Sequence, residues 1–219
     1  MPSLTVENYV KQIYLICASQ EGRPAATGRI AAELEVSPGT VTSMLKTLSE
    51  SQLVTYTPYE GTLLTAAGAA LALRMLRRHR LIELFLVETL ALDWSEVHEE
   101  AEHMEHAVSD RLVDRIDEYL GHPRVDPHGD PIPRADGSLE TSAAQPLNSL
   151  PIGAELRLER VLDQSVEFLG FLSEHALEIA ATGQVTAHRE EAGIVTIRVS
   201  GQEITIGNDV AAKMLVVAR

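Results

Sequence analysis

A chain of 219 residues suits one large domain or two to three small ones, and 45% apolar content against 4% aromatic predicts a mostly aliphatic core. It has no apolar run of 18 residues and no basic-then-apolar leader at Met1-Pro2-Ser3-Leu4-Thr5-Val6-Glu7. Cys17 is its only cysteine, so the expectation is a cytoplasmic protein with no membrane partner and no intrachain disulfide. A net charge of −14 argues against nucleic acid, where a basic footprint is expected. The acid is unevenly spread, however. Four basic residues face six acidic ones over 1–72, seven face twelve over 73–125, and seven face fourteen over 126–219.

Over residues 5–20, Val6, Tyr9, Val10, Ile13, Tyr14, Ile16 and Cys17 recur at helical spacing, and Gly22-Arg23-Pro24 closes the segment. Thr27 reads as the cap of a short helix over 27–35. Ser37-Pro38 reads as an N-cap followed by proline at the first helical position. The helix this opens, 38–50, turns Val41, Met44, Leu45 and Leu48 inward. It leaves Gly39, Thr40, Thr42, Ser43, Lys46 and Thr47 outside. Val54-Thr55-Tyr56 and Thr62-Leu63-Leu64 flank Pro58-Tyr59-Glu60-Gly61, a β-hairpin pattern. Three short helices and a hairpin are the winged helix-turn-helix order. Small, hydroxylic or basic side chains on the third helix can approach phosphates and base edges, although such modules also bind proteins.

A long helix is predicted from Thr65 to Leu92, with the chain's one basic cluster, Arg74, Arg77, Arg78, His79 and Arg80, at its middle. Those residues either flank DNA phosphates or pair with acidic neighbours. His79 and Glu83 are four residues apart and share a face. After Asp93-Trp94-Ser95-Glu96, a helix over 95–109 contains His98-Glu99-Glu100-Ala101-Glu102-His103-Met104-Glu105-His106. At about 100° per residue, His98, Glu102, Glu105 and His106 fall within one arc, beside the apolar Val97, Ala101, Met104 and Val108. Charges at the margin of a buried face need a partner, and a divalent cation is an economical one. Residues 110–120 continue helically, with Leu112, Val113, Ile116 and Leu120 supplying an apolar face for a dimer.

Four prolines within 122–133 exclude regular structure there, and 134–150 reads as a polar linker. From 151, period-two alternation over 155–159, 193–199 and 202–206, with a helical insert over 168–174, predicts a small β-barrel-like domain of SH3 size. The fold class is α+β, in the order winged helix-turn-helix (1–72), helical domain (73–140), linker (141–150) and small β-barrel (151–219).

Carboxylates and imidazoles without thiolate form a hard-to-borderline ligand set. Catalytic alternatives fail on spacing. Residues 98–102 are His-Glu-Glu-Ala-Glu rather than His-Glu-x-x-His, and 103–106 falls one residue short of His-x-x-Glu-His. Glu100 and His103 make one Glu-x-x-His pair with no second copy. With no phosphate loop or nucleophile elbow either, no enzyme and no small organic substrate are expected.

The chain resembles the DtxR-type family of iron- and manganese-dependent transcriptional repressors over nearly its whole length. The resemblance rests on Val6-Glu7-Asn8-Tyr9-Val10-Lys11-Gln12-Ile13-Tyr14, Val36-Ser37-Pro38-Gly39-Thr40-Val41-Thr42, Leu64-Thr65-Ala66-Ala67-Gly68 and Arg78-His79-Arg80-Leu81-Ile82-Glu83. Most specific are Val97-His98-Glu99-Glu100-Ala101-Glu102 with Glu105-His106, and Asp126-Pro127-His128-Gly129-Asp130-Pro131-Ile132-Pro133. It implies a winged-helix domain, a helical metal-binding and dimerisation domain and a C-terminal SH3-like (FeoA-type) domain. It places a regulatory metal among Asn8, Glu102, Glu105 and His106. A second site would use His79, Glu83 and His98, with Asp126 and His128 from the linker and Asp163, Gln164 or Glu167 from the third domain. The iron branch carries cysteine at the position of Glu102, so the carboxylate here favours Mn(II), with Fe(II) the alternative. Asn8 stands where the manganese branch often has aspartate, and Lys11 where some members have a second acid. The implied partners are a second copy of the chain and a palindromic operator. Ser37, Pro38, Thr40, Thr42 and Ser43 would contact bases and backbone, and Arg29 and Lys46 phosphates. His103, His122, His175 and His188 are expected at the surface. The implied function is repression of metal-homeostasis genes; the reading from another class is a metal-buffering scaffold whose winged helix binds protein.

Overall fold

Helix α1 (Leu4–Ser19) starts where the Ser3 hydroxyl accepts the Val6 amide, and it buries Tyr9, Val10, Ile13 and Ile16 at helical spacing. The computed structural model describes residues 3–140 and 142–218. They form two compact units, one of residues up to 79 with 133–138, the other of 80–132 with those from 139 on.

In the first unit, α2 (Thr27–Glu33) leads through a short turn to α3 (Pro38–Glu50). Thr27, expected as a cap, is the first helical residue, and Ala26 precedes it with no side-chain cap. Ser37 caps α3 as expected, its hydroxyl 3.1 Å from the Thr40 amide. Val41, Leu45 and Leu48 are fully buried against Ile13, Ile16 and Ile30. Strands β1 (Val54–Thr57) and β2 (Gly61–Leu64) pair antiparallel as the wing. Paired bonds between Ala25 and Thr62, both 2.9 Å, tie the wing to the chain entering α2. Helix α4 (Ala66–Leu90) follows, opened by the Thr65 hydroxyl accepting the Gly68 amide.

The second unit contains the end of α4, α5 (Val97–Met104) and α6 (Asp110–Tyr119). Here the structure corrects the continuous 95–109 helix. Regular helix stops at Met104, Glu105 and His106 lie in the turn that follows, and Ser109 caps α6 afresh by accepting the Leu112 amide. Leu81 and Leu84 pack with Val113, Ile116 and Ile132, while Ile82 and Leu86 pack with Val97 and Ala101.

The C-terminal part is an antiparallel sheet of β3 (Gln145–Pro146), β4 (Glu155–Val161), β5 (Thr182–Arg189), β6 (Ile194–Val199), β7 (Gln202–Gly207) and β8 (Met214–Ala218). Its hydrogen-bonded order is β3-β8-β4-β5-β6-β7. Helix α7 (Val166–Glu174) lies between β4 and β5, and a one-turn helix α8 (Asn208–Ala211) precedes β8. The sequence pattern reveals β4, β6 and β7 but neither β5 nor β8. The residues expected as linker up to 150 also differ, since Leu147 and Leu150 are buried in this domain's core.

The proline-rich loop is docked onto β4. The Val161 amide donates to the His128 carbonyl at 3.0 Å, next to the register shift between Leu158 and Arg160. Gly129 has φ +82°, and a Cβ there would lie 1.9 Å from the Glu159 carbonyl oxygen. Gly137 has the same φ with open space around it. Gly129→Ala is therefore expected to cost clearly more than the about 1 kcal/mol of left-handed strain that Gly137→Ala incurs. Thermal unfolding of the two variants checks this; equal midpoints would mean that the loop is not held against β4.

Candidate metal centre

Helix α4 places His79 and Glu83 one turn apart, both buried. The Glu83 carboxylate, only 1% exposed, meets the His98 Nδ1 at 3.2 Å across from α5. The proline-rich loop brings Asp126 and His128 to the same carboxylate. Glu83, Asp126 and His128 each offer a ligand atom within 4.8 Å of the others, and all three are buried.

The loop is shaped by the Asp126 side chain. Its Oδ1 accepts the amides of His128 (2.8 Å) and Asp130 (2.9 Å), and the Asp126 amide donates to the Asp130 carbonyl. This leaves Oδ2 facing Arg80 Nε at 3.6 Å. Burial pushes the Asp126 carboxyl well above the usual range, Asp130 and Glu83 add to this, and Arg80 opposes it. Arg80 also reaches Asp130 at 3.7 Å and donates to the Pro131 carbonyl at 2.6 Å. Asp130 in turn pairs with Arg160 and accepts from Gln164 at 3.0 Å. In the basic cluster, Arg77, Arg78, His79 and Arg80 are buried, so Arg80 follows the acid-pairing reading rather than the phosphate one.

His128 is fully buried. Its Nε2 lies 2.8 Å from the Trp94 carbonyl, while Nδ1 has no hydrogen-bond partner and lies 3.9 Å from Glu83 Oε2. An orphaned imidazole nitrogen beside two buried carboxylates fits a cation, and the O/N donor set suits Mn(II) or Fe(II).

The second cluster follows α5. Glu105 is fully buried, with His106 Nε2 3.3 Å from its carboxylate, and Glu102 lies 4.0 Å from His98 Nε2. Asn8 sits half-buried on α1 with its Oδ1 buried and lacking a hydrogen-bond partner. Lys11 is buried as well. Of the third-domain candidates, Asp163 is bound to Lys213 at 2.8 Å, Gln164 is used on Asp130, and Glu167 is exposed. His103 and His122 are exposed as expected, but His175 and His188 are half-buried. The His175 ring packs on Phe171, which a polar-residue reading misses. Arg80, Asp130 and Trp94 lie outside the ligand set expected from the sequence; Asp130 was visible only within a family motif, and Arg80 within a motif and the basic cluster.

On the first unit, Ser37, Pro38, Thr40, Ser43 and Lys46 are exposed along α3. Thr42 is half-buried, its hydroxyl donating to the Pro38 carbonyl. Arg29 is exposed but engaged with Ser19, Gln20 and Glu33.

Three family models cover nearly the whole chain. The iron dependent repressor N-terminal DNA binding domain matches residues 1–62, the iron dependent repressor metal binding and dimerisation domain 65–134, and the FeoA domain 145–218. A diphtheria toxin repressor from Corynebacterium efficiens is 31% identical over 94% of this chain and 92% of its own length. The chain belongs to the iron-dependent, DtxR-type repressor family. As such it is a metal-dependent transcriptional repressor. An iron-dependent repressor of Mycobacterium leprae is 29% identical over 94% of both chains. Among solved structures, a manganese-dependent transcriptional repressor in complex with manganese superposes with a TM-score of 0.88 at 36% identity, covering 98% of this chain and all of that one. The manganese regulator SloR gives 0.77 at 32%, covering 98% of each. Among the described residues of this DtxR-type chain, no helix is long and apolar enough to cross a membrane.

Because its pKa is raised in the folded state, Asp126 contributes stability that is complete below the unfolded value of about 4 and is lost as pH rises through the folded value. Asp126→Asn keeps the Oδ1 acceptor and removes that titration. In chelator-treated protein the variant is expected to gain on the parent as pH rises, read as unfolding midpoint against pH. Parallel profiles would show that burial does not raise the Asp126 carboxyl.

Proposed function

We propose that this repressor answers to Mn(II), using Glu102, Glu105, His106 and Asn8 as one ligand set and Glu83, Asp126, His128, His79 and His98 as the source of a second. The observation that carries this is the donor chemistry. The buried clusters offer carboxylate and imidazole, and the one cysteine, Cys17, is half-buried on α1 with its thiol 3.9 Å from the Thr62 carbonyl. Hard oxygen-rich sets favour Mn(II) over softer ions. The similarity to manganese-dependent solved structures supports the same reading.

A bound divalent cation supplies positive charge where Glu83, Asp126 and Glu105 concentrate negative charge out of water. The chain's residues do the rest. Glu102, Glu105 and His106 would supply carboxylate and imidazole ligands from the helical domain, and Asn8 an amide oxygen from the DNA-binding domain. That division makes DNA binding depend on the ion, as a differential affinity for the DNA-competent state. Ser37, Pro38, Thr40, Thr42 and Ser43 read a palindromic operator, with Lys46 and Arg29 on phosphates, and a homodimer sets the spacing of the two recognition helices. The protein works in the cytoplasm on metal-homeostasis genes. Fe(II) is the second reading, favoured by the iron-dependent names of the sequence relatives.

The test is fluorescence anisotropy on a pool of palindromic operators, titrated with Mn(II), anaerobic Fe(II), Co(II) or Zn(II). Mn(II) is expected to tighten binding by about tenfold or more, the effect disappearing in Glu102→Ala. A stronger response to Fe(II) would transfer the protein to the iron reading. Metal-independent operator binding would overturn the metal mechanism, and no operator binding with any ion would favour a protein-binding winged helix.

A further inference from the structure

We propose that Trp94, the chain's only tryptophan, is a positioning residue that holds His128 in the one tautomer able to accept a metal ion, and that it does so from an anchor on the C-terminal domain. The proposal rests on the reading of Glu83, Asp126 and His128 as ligands.

Trp94 lies in the turn between α4 and α5. The Asp93 carboxylate shapes this turn by accepting the Ser95 amide (2.8 Å) and hydroxyl (2.6 Å). The indole packs against the C-terminal core, and its Nε1–H donates to the Ser173 hydroxyl on α7 at 2.9 Å. The indole also stacks on the His128 ring, with centroids 5.9 Å apart and planes 18° from parallel. The Trp94 carbonyl lies 2.8 Å from His128 Nε2.

A carbonyl can only accept, so the proton of this bond resides on Nε2 of His128. In the neutral ring that puts the lone pair on Nδ1, the buried atom without a hydrogen-bond partner on the Glu83 side. The opposite tautomer would leave the Trp94 carbonyl facing another acceptor and present an N–H to the cation. Both errors cost free energy where the ring is fully buried. The stack fixes the ring plane, and the Ser173 bond fixes the carbonyl through its own side chain. Ligand readiness on the helical side is therefore set by docking onto α7, a partner type that commonly accompanies metal-bound histidines. One consequence is optical, since the only indole is stacked, offset, against a proposed ligand ring.

The experiment uses full-length protein labelled with ¹⁵N-histidine and metal-free, with His128 assigned by comparison with His128→Gln. Long-range ¹H–¹⁵N correlation is expected to show His128 protonated at Nε2 alone. In Trp94→Leu, and in Ser173→Ala, which removes only the anchoring bond, both tautomers are expected. Mn(II) binding, counted from the free-ion EPR signal, should weaken about tenfold for one ion in Trp94→Leu. Trp94→Phe, which keeps a ring for stacking, should fall between the two. Tryptophan emission should be quenched on binding that ion in the parent and not in His128→Gln. If His128→Gln binds as many ions as tightly as the parent, the ligand reading fails. If it loses one ion while Trp94→Leu and Ser173→Ala keep parental affinity and tautomer, or if the parent carries its proton on Nδ1, the role of Trp94 fails and the metal site stands.

Discussion

Carboxylates removed from water must be matched by positive charge, and much of the second unit is arranged to meet that requirement. Glu83, Glu105, Asp126 and Asp130 are all buried. Isolated, such groups would neutralise by protonation, and the Asp126 carboxyl is already driven that way. Arg80 and Arg160 serve the Asp130 end of the cluster. The Glu83 end is lined by the imidazoles of His98 and His128.

The loop that delivers Asp126 and His128 works because its backbone is satisfied without regular structure. Prolines remove amide donors that would otherwise need partners, and Asp126 takes up two that remain. Gly129 permits the backbone of β4 to come close, and the His128 carbonyl then completes a bond to Val161. The same loop packs Ile132 into the helical core, while Trp94 from the helical side packs into the sheet core. Helices and sheet in this unit are thereby interleaved, and the cluster of ionisable groups sits at the exchange.

In the DNA-binding unit, short-range chemistry suffices. Ser37 and Pro38 start α3, and three fully buried aliphatic residues, Val41, Leu45 and Leu48, seat it. Thr42 satisfies its own hydroxyl within the helix, on the Pro38 carbonyl. The overall acidity of the chain does not contradict a DNA partner, since the excess acid belongs mostly to residues beyond 72.

Much of this was legible in the residues. Helical spacing of aliphatic side chains, the serine-proline start of α3, the hairpin signal around Gly61 and the period-two pattern of β4, β6 and β7 are local, and local preference agreed with the final fold. The family motifs marked the acidic and imidazole side chains. Other features depended on partners far along the chain. Strand β5 buries only Val185 fully and was not recognised as a strand, and β8 is short. Leu147 and Leu150 read as linker until the sheet is there to cover them. The regular helix after Val97 ends at Met104 although no proline marks a break; Glu105 keeps helical dihedrals with its amide on the Ala101 carbonyl, and His106 lies in the turn beyond. Sequence by itself determined the order of domains and the types of ligand, because both follow from side-chain chemistry and spacing. Only the tertiary structure decided which charges are buried together and which nitrogen of His128 is left open. Those outcomes depend on desolvation and on hydrogen bonds between segments that meet only once the chain has folded.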